Sequence, residues 1–177
     1  TAGRGRSGRT WHSPAGGNLY VSLAVDLGGF QRKTVTTMPL AAGVAAWDAI
    51  SEAESVELRL KWPNDVLMNG KKLAGILCEV ASTKAGVAVV GLGVNLATEE
   101  FPDELSKTAV SLARKTGGQT PKSRISPAVI AARWVAGLES LMVKVRAGLD
   151  TEIITAWRSR AEPFGRRVSV NGIEGVT

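Results

Sequence analysis

Between positions 56 and 94 the chain has room for little except short strands joined by tight turns. Val56, Leu58, Leu60 and Trp62 alternate with Glu57, Arg59 and Lys61, the period-two pattern of a strand with one buried face. Pro63 closes that strand, because it has no amide to donate to a ladder. Segments 66–68 and 73–80 then flank Asn69-Gly70, the dipeptide that suits a two-residue hairpin. A further apolar strand at 86–94 follows after another short connection at 82–85. Strands joined this closely pair antiparallel, since a parallel neighbour needs a crossover of about a dozen residues. An earlier run at 19–25, with Leu19, Val21, Leu23 and Val25 on one face, adds one more strand.

Helical patterns lie before and after these strands. The first spans 38–53, with Thr37 as its cap, Pro39 near its start, and Leu40, Val44, Trp47 and Ile50 on one face. The second spans 127–147, with Ile130, Trp134, Leu138, Leu141 and Val145 in one stripe. A third, at 151–160, turns Ile154 and Trp157 inward. The stretch 98–120 reads as polar and irregular apart from Val110-Ser111-Leu112. A hairpin at 164–170 and 173–176, joined by Asn171-Gly172, opens a small second β-domain. The fold class is therefore α+β: a mostly antiparallel mixed sheet with helices on one side. Residues 1–162 form the main domain, and 163–177 begin the second. The chain starts inside a loop and stops partway through a strand, as a piece of a longer protein would.

Charge is concentrated rather than spread. The net charge is +6, from 22 basic and 16 acidic residues. Segment 1–9 carries Arg4, Arg6 and Arg9 with no acid, and segment 158–167 carries four arginines against Glu162. Each is net +3, so these two segments hold the whole excess. Nucleic-acid binders usually spread such charge along a face, so local anion sites fit better. The 158–167 cluster reads as solvated surface. Cys78 and His12 are the only cysteine and histidine, which excludes an internal disulfide and argues against a structural zinc site. No apolar run approaches the ~20 residues of a membrane span. No secretory pattern opens the chain, and a cytoplasmic location is the default.

Three islands carry the chemistry. Arg4-Gly5-Arg6-Ser7-Gly8-Arg9-Thr10-Trp11 alternates guanidinium groups with glycine. Glycine lets backbone amides approach an anion, and arginine forks match carboxylate or phosphate oxygens at ~1.5–3 kcal/mol per charge-assisted bond. Gly3, Gly5 and Gly8 also fit a dinucleotide-binding fingerprint, but no helix fits before the strand at Leu19, so that reading fails. Lys61-Trp62-Pro63-Asn64-Asp65 gathers more functional groups at a strand end than a turn needs, and Lys72 and Gly75 follow just past the hairpin. A glycine inside a strand marks close approach of a ligand or another backbone. Gly91-Leu92-Gly93-Val94-Asn95 repeats that theme.

In order and spacing these islands resemble the catalytic domain of the biotin–protein ligases, whose motifs match Gly3–Trp11, Ser13-Pro14, Lys61–Asp65, Lys72–Glu79 and Gly91–Asn95. The resemblance implies a fold like the class II aminoacyl-tRNA synthetase catalytic domain, followed by an SH3-like domain. It implies that biotin and ATP, with Mg2+, give biotinyl-5′-adenylate. The biotinyl group then passes to one lysine of a biotin carboxyl carrier protein, such as that of acetyl-CoA carboxylase or another biotin carboxylase subunit. Carried over, Arg6, Lys72 and Asp65 are catalytic, with Asp65 also the candidate magnesium ligand. Arg4, Gly5, Arg6, Lys72, Gly75, Gly91 and Gly93 take biotin. Arg6, Arg9, Trp11, His12, Asn64 and Asn95 take ATP, although the His12 position is often aromatic in the family. The upstream segments that line the family's biotin pocket precede Thr1, and no DNA-binding domain is in view. Association as a homodimer is compatible with the resemblance, and no membrane or nucleic-acid partner is implied. The alternatives are a lipoate–protein ligase with the same chemistry and, in a different class, a non-catalytic nucleic-acid-binding module.

Overall fold

The computed structural model describes residues 3–16, 18–28, 30, 35–52, 56–82, 86–113, 126–163, 165, 167–170 and 173–176. Its centre is one antiparallel sheet in the order β3-β7-β6-β5-β4. The strands are β3 (Leu19–Asp26), β4 (Leu58–Lys61), β5 (Asp65–Met68), β6 (Lys71–Ser82) and β7 (Val87–Val94). A two-residue ladder, β1 (Gly3–Arg4) on β2 (Thr10–Trp11), precedes it, and a separate hairpin, β8 (Arg167–Val170) on β9 (Ile173–Val176), follows it. The turn between β5 and β6 holds Asn69 at φ 52° and Gly70 at φ 74°. Two successive left-handed residues match the twist of paired strands, which is why Asn-Gly marks this hairpin.

Alternation decides which face is buried. Ala88, Val90, Leu92 and Val94 of β7 face the core, while Val87, Val89, Gly91 and Gly93 are half-buried on the other face. Helix α1 (Met38–Ser51) covers the core face, and the helices α3 (Pro127–Arg146) and α4 (Asp150–Arg160) pack on α1 in turn. The four-residue α2 (Asp103–Ser106) lies in the connection between β7 and α3. Helices thus sit on one side of an antiparallel sheet, as the sequence pattern implies.

Several local expectations shift for identifiable reasons. α1 lies between sheet and helices, so Ala41, Ala42, Ala45, Ala46 and Ala49 are buried, whereas Leu40 and Trp47 sit half-buried at its margins. Small side chains permit this closeness: a Cβ on Gly137 of α3 would meet Ala45 Cβ at 3.5 Å. Thr37 stands at the N-cap without capping, because its hydroxyl donates to Asp150 Oδ1 at 2.7 Å and ties the start of α1 to α4. Trp62 does not point inward. β4 ends at Lys61, residues 62–64 turn, and the Trp62 side chain is 72% exposed. In α4 Ile153 is buried and Ile154 exposed, a shift of one position in the phase of the helix. In α3 Met142 is buried where Leu141 is half-buried. The tripeptide Val110-Ser111-Leu112 does not found a new strand pair. Val110 donates its amide to Lys72 O and Leu112 donates to Asn95 O, so the segment seals the ends of β6 and β7. The expected turn at Asn171-Gly172, the end of the first helix at Ala53 and residues 114–120 lie outside the described residues.

Trp134 is fully buried and donates its indole N–H to Ala42 O at 3.1 Å, joining α3 to α1. Trp134→Ala is expected to cost about 3–5 kcal/mol, read as a lower urea midpoint at unchanged slope. A loss under about 1 kcal/mol would place the main helix–helix contact elsewhere.

Candidate active site

The open face of the sheet carries a cleft of about 780 Å³, within the usual range for small-ligand sites. Its position follows from an irregularity in β6. Leu67 pairs with Lys72 and Val66 with Ala74, so β6 holds one extra residue there. In a regular strand Lys72 would share the buried face with Ala74 and Ile76. The bulge turns both Leu73 and Ala74 into the core and returns Lys72 to the open face beside Gly75. A Cβ placed on Gly75 would meet Lys72 Nζ at 3.2 Å, which fixes the side chain's direction.

Lys72 Nζ lies 2.6 Å from Asp65 Oδ1, angled as an ion pair rather than an aligned hydrogen bond. Asp65 is the cross-strand partner of Gly75 and faces the same cleft. The lysine backbone is held on its far side as well: Lys72 N donates to Thr108 O, and Lys72 O accepts from Val110 N.

The arginine-rich run is a hairpin. Gly3 pairs with Trp11 and Arg4 with Thr10, and a single 3-10 turn at Arg6–Gly8 reverses the chain. Gly5 N donates to Arg9 O at 2.7 Å, and Gly3 N to Ser13 Oγ at 3.1 Å. Arg6 Nη1 reaches Asn64 Oδ1 at 3.4 Å, linking this hairpin to the turn after β4. Asn64 braces that turn: Nδ2 donates to Ile76 O at 2.6 Å, and its carbonyl accepts from Ile76 N. None of Arg4, Arg6 and Arg9 is paired with a carboxylate among the described residues.

Trp11 lies flat against the strands. A Cβ on Gly75 would stand 2.8 Å from its Cζ3, and one on Gly93 would stand 3.0 Å from its Cε2. Only glycine at both positions lets the indole settle there. Lys72 Nζ is 5.1 Å from the ring centroid, a cation–π contact. The indole N–H is buried against the strand beside Gly93 and has no hydrogen-bond partner among the described residues. Trp11, expected to take ATP, is thus seated on Gly75 and Gly93, two of the glycines expected to take biotin. Asn95 is buried and commits Nδ2 to Val110 O at 3.2 Å. His12 faces Phe101 at 6.1 Å between ring centroids.

All the candidate site residues line this one cleft: Arg4, Gly5, Arg6, Arg9, Trp11 and His12 from the hairpin, and Asn64, Asp65, Lys72, Gly75, Gly91, Gly93 and Asn95 from the sheet. Gly91 differs from the other strand glycines, since a Cβ there would meet nothing closer than 3.6 Å. The sequence reading missed Tyr20, Ser22, Leu77, Phe101 and Thr108, which also line the cleft. Tyr20 and Ser22 were readable as the outward positions of an alternating strand, and Phe101 as the lone aromatic in a polar stretch. No group of three or more His, Cys, Asp or Glu side chains suited to a metal exists among the described residues. Burial pushes the Cys78 thiol up to about 12, and the residue packs against the core.

Residues 1–95 match the model of the biotin/lipoate A/B protein ligase family. A Bacillus subtilis protein named bifunctional ligase/repressor BirA is 38% identical over 129 residues, covering 71% of this chain and 39% of its own length. A biotin–[acetyl-CoA-carboxylase] ligase of Paracoccus denitrificans is 34% identical, covering 94% of this chain and 70% of its own length. Among solved structures, a biotin protein ligase from Aquifex aeolicus in complex with biotin and ATP matches with a TM-score of 0.82 at 26% identity, covering 98% of this chain and 70% of its own. The chain therefore spans well under half of the Bacillus relative and about seven tenths of the other two.

Two outcomes follow from the geometry. Gly75→Ala is expected to lift the Trp11 indole off the sheet and red-shift its emission, and the same change in a Trp11→Phe background is expected to shift nothing. Equal shifts in both backgrounds would show that the indole does not rest there. A thiol raised from 9.0 to about 12 is almost wholly protonated at pH 8, so Cys78 is expected to alkylate with iodoacetamide about 10³-fold more slowly folded than in urea. Comparable rates would contradict its burial.

Proposed function

Because the chain belongs to the biotin/lipoate A/B protein ligase family, we propose that it carries the adenylating centre of a biotin–protein ligase. It activates biotin with ATP to biotinyl-5′-adenylate and passes the biotinyl group to a lysine of a biotin carboxyl carrier protein. The observation that supports this reading most is the convergence of unpaired arginines, the Lys72–Asp65 pair and a glycine-floored slot on one cleft. A cleft with this layout needs no protein nucleophile. A carboxylate oxygen of biotin attacks the α-phosphorus while the bond to pyrophosphate breaks, and the protein supplies position and positive charge.

In this scheme the Trp11 indole, which fills the space over Gly75 and Gly93, forms one wall of the slot for the acyl chain. Gly5, Gly91 and Arg4 extend that side. Lys72 stands at the junction and exchanges Asp65 for the developing charge on the carboxylate and α-phosphate. Arg6 and Arg9 take phosphate oxygens. His12, Asn95 and Asn64 bound the nucleotide side, and Asn64 also anchors Arg6. The residues fit a Mg2+ ion held chiefly by ATP's phosphates, since such an ion keeps much of its water and Asp65 is one carboxylate at hand. When bound it neutralises phosphate charge. In the second half-reaction the lysine amine attacks the acyl carbon, the bond to AMP breaks, and Asp65 accepts the amine's proton. Nucleotide chemistry of this kind suits a cytoplasmic protein, and the β8–β9 hairpin fits the start of a further domain.

The reading is tested by release of pyrophosphate and capture of biotinyl-adenylate in the full-length protein. Biotin is expected to support both, and lipoate neither. Turnover with lipoate would move the protein to the sister activity, and steep salt-dependent binding of RNA or DNA without turnover would remove it from catalysis. Lys72→Ala is expected to slow adenylate formation about 10²–10³-fold, the usual cost of one preorganised charge-stabilising group. Arg6→Gly is expected to release adenylate early and label lysines indiscriminately. Retained adenylate with unchanged lysine selectivity would count against a closing role for the hairpin.

A further inference from the structure

Of the five residues from the end of β4 through the turn to the start of β5, four line the cleft: Lys61, Pro63, Asn64 and Asp65. The fifth, Trp62, turns away from it and stands 72% exposed on the cleft's rim. Single exposed apolar residues are ordinary, but this one is placed and held unlike the others. Of the other exposed large apolar residues, Val80 lies on β6 and Val129, Val143, Leu149 and Ile154 lie on α3, on α4 or between them, none of them lining the cleft, whereas Tyr20 of β3, 44% exposed, lines the cleft itself. Trp62 instead sits two residues before Asn64, whose bonds to Ile76 fix the turn to the central strand, and its chain neighbours Lys61 and Pro63 both line the cleft. Tryptophan is enriched among the residues that anchor interfaces, because it offers a large contact area with few rotatable bonds.

The charge of the mouth names the partner's chemistry. Among the described residues Arg4, Arg6, Arg9, Lys61, Lys72 and Lys107 line the cleft against two acids, Asp65 and Glu79. Pyrophosphate leaves after the first half-reaction, and a retained adenylate then offsets only one of these positive charges. The surplus that remains faces outward when the acceptor arrives. The geometry points to Trp62 as the docking anchor for the protein substrate, an acidic domain that presents its lysine over the cleft rim. This rests on the ligase reading above. It adds a residue that touches neither biotin nor ATP and serves the second half-reaction alone.

The experiment compares wild type with Trp62→Ala and Trp62→Phe in the full-length protein, using a biotin-free carrier domain of acetyl-CoA carboxylase as acceptor and hydroxylamine as a small nucleophile. Trp62→Ala is expected to raise KM for the carrier domain about tenfold or more. Single-turnover adenylate formation and transfer to hydroxylamine should stay within about twofold of wild type. Trp62→Phe should restore most of the carrier affinity, and kcat/KM for the carrier should fall with added salt. An unchanged carrier KM would overturn the proposal. So would a parallel fall in adenylate formation, which would place Trp62 in the cleft chemistry, or a changed mass in solution, which would make it a contact between copies. A wild type that makes no biotinyl-adenylate would overturn both readings together, and that control separates the case from a failure of docking alone.

Discussion

One extra residue in β6 decides whether this sheet has an active face. Lys72 and Gly75 are three apart, and in a regular strand they would point to opposite sides. The bulge opposite Val66 and Leu67 absorbs the difference by burying Leu73 and Ala74 in succession. The burial of Leu73, at 0% exposed, stabilises the irregular ladder by roughly 1.5–3 kcal/mol. Beyond the end of β7 the segment that carries Val110 satisfies the Lys72 backbone, whose amide donates to Thr108 O and whose carbonyl accepts from Val110 N. A core contact on one side of the strand and a borrowed ladder on the other thus aim an ammonium group at the cleft. Without the bulge the same lysine would have to be buried beside Ile76 at a cost no neighbour could offset.

The hairpin and the sheet depend on each other through Trp11. Its indole needs bare backbone beneath it, and Gly75 and Gly93, cross-strand partners on β6 and β7, supply a continuous glycine floor. The contact orders the hairpin beside the strands while Arg4, Arg6 and Arg9 remain exposed. The energies favour a site that exchanges partners. The Lys72–Asp65 pair is a quarter to a third exposed, so its net worth is on the order of 1 kcal/mol. A charge-assisted bond from an arginine to a ligand oxygen is worth about 1.5–3 kcal/mol. No carboxylate must be released before those arginines engage, and Lys72 trades one anion for another.

The sequence pattern reached the sheet, its antiparallel pairing and the helices on one side, because period and turn chemistry are local. Asn69-Gly70 is the clearest instance: both residues adopt positive φ, as their chemistry suggests. The residues it singled out converge on one cleft, because strand glycines and arginine–glycine alternation have few structural uses, although it passed over Tyr20, Ser22, Leu77, Phe101 and Thr108 in the same lining. What it missed is set by tertiary position. Trp62 continues the alternation of β4 in sequence, but the strand stops one residue earlier, and periodicity alone does not show where a ladder ends. Ile153 and Ile154 are equally apolar, and only the approach angle of α4 chooses between them. The bulge leaves no mark in the residues that form it.

The same distinction explains why two sets of polar residues in the cleft differ in character. Asn64 and Asn95 look alike in sequence, each a single amide at a strand end, yet both spend their side-chain N–H groups on backbone carbonyls, Ile76 O and Val110 O. They hold strands and loops in place, and what remains for a ligand is chiefly the oxygen of each. Lys72, Arg4, Arg6 and Arg9 spend less on the scaffold: Lys72 has the Asp65 ion pair and the Trp11 ring, Arg6 a long contact to Asn64, and Arg9 one bond from Nε to Arg6 O at 3.3 Å. Rigid amides beneath uncommitted cations are the division of labour that positioning catalysis requires. The framework is satisfied before the ligand arrives, and the charge that stabilises it is held in reserve.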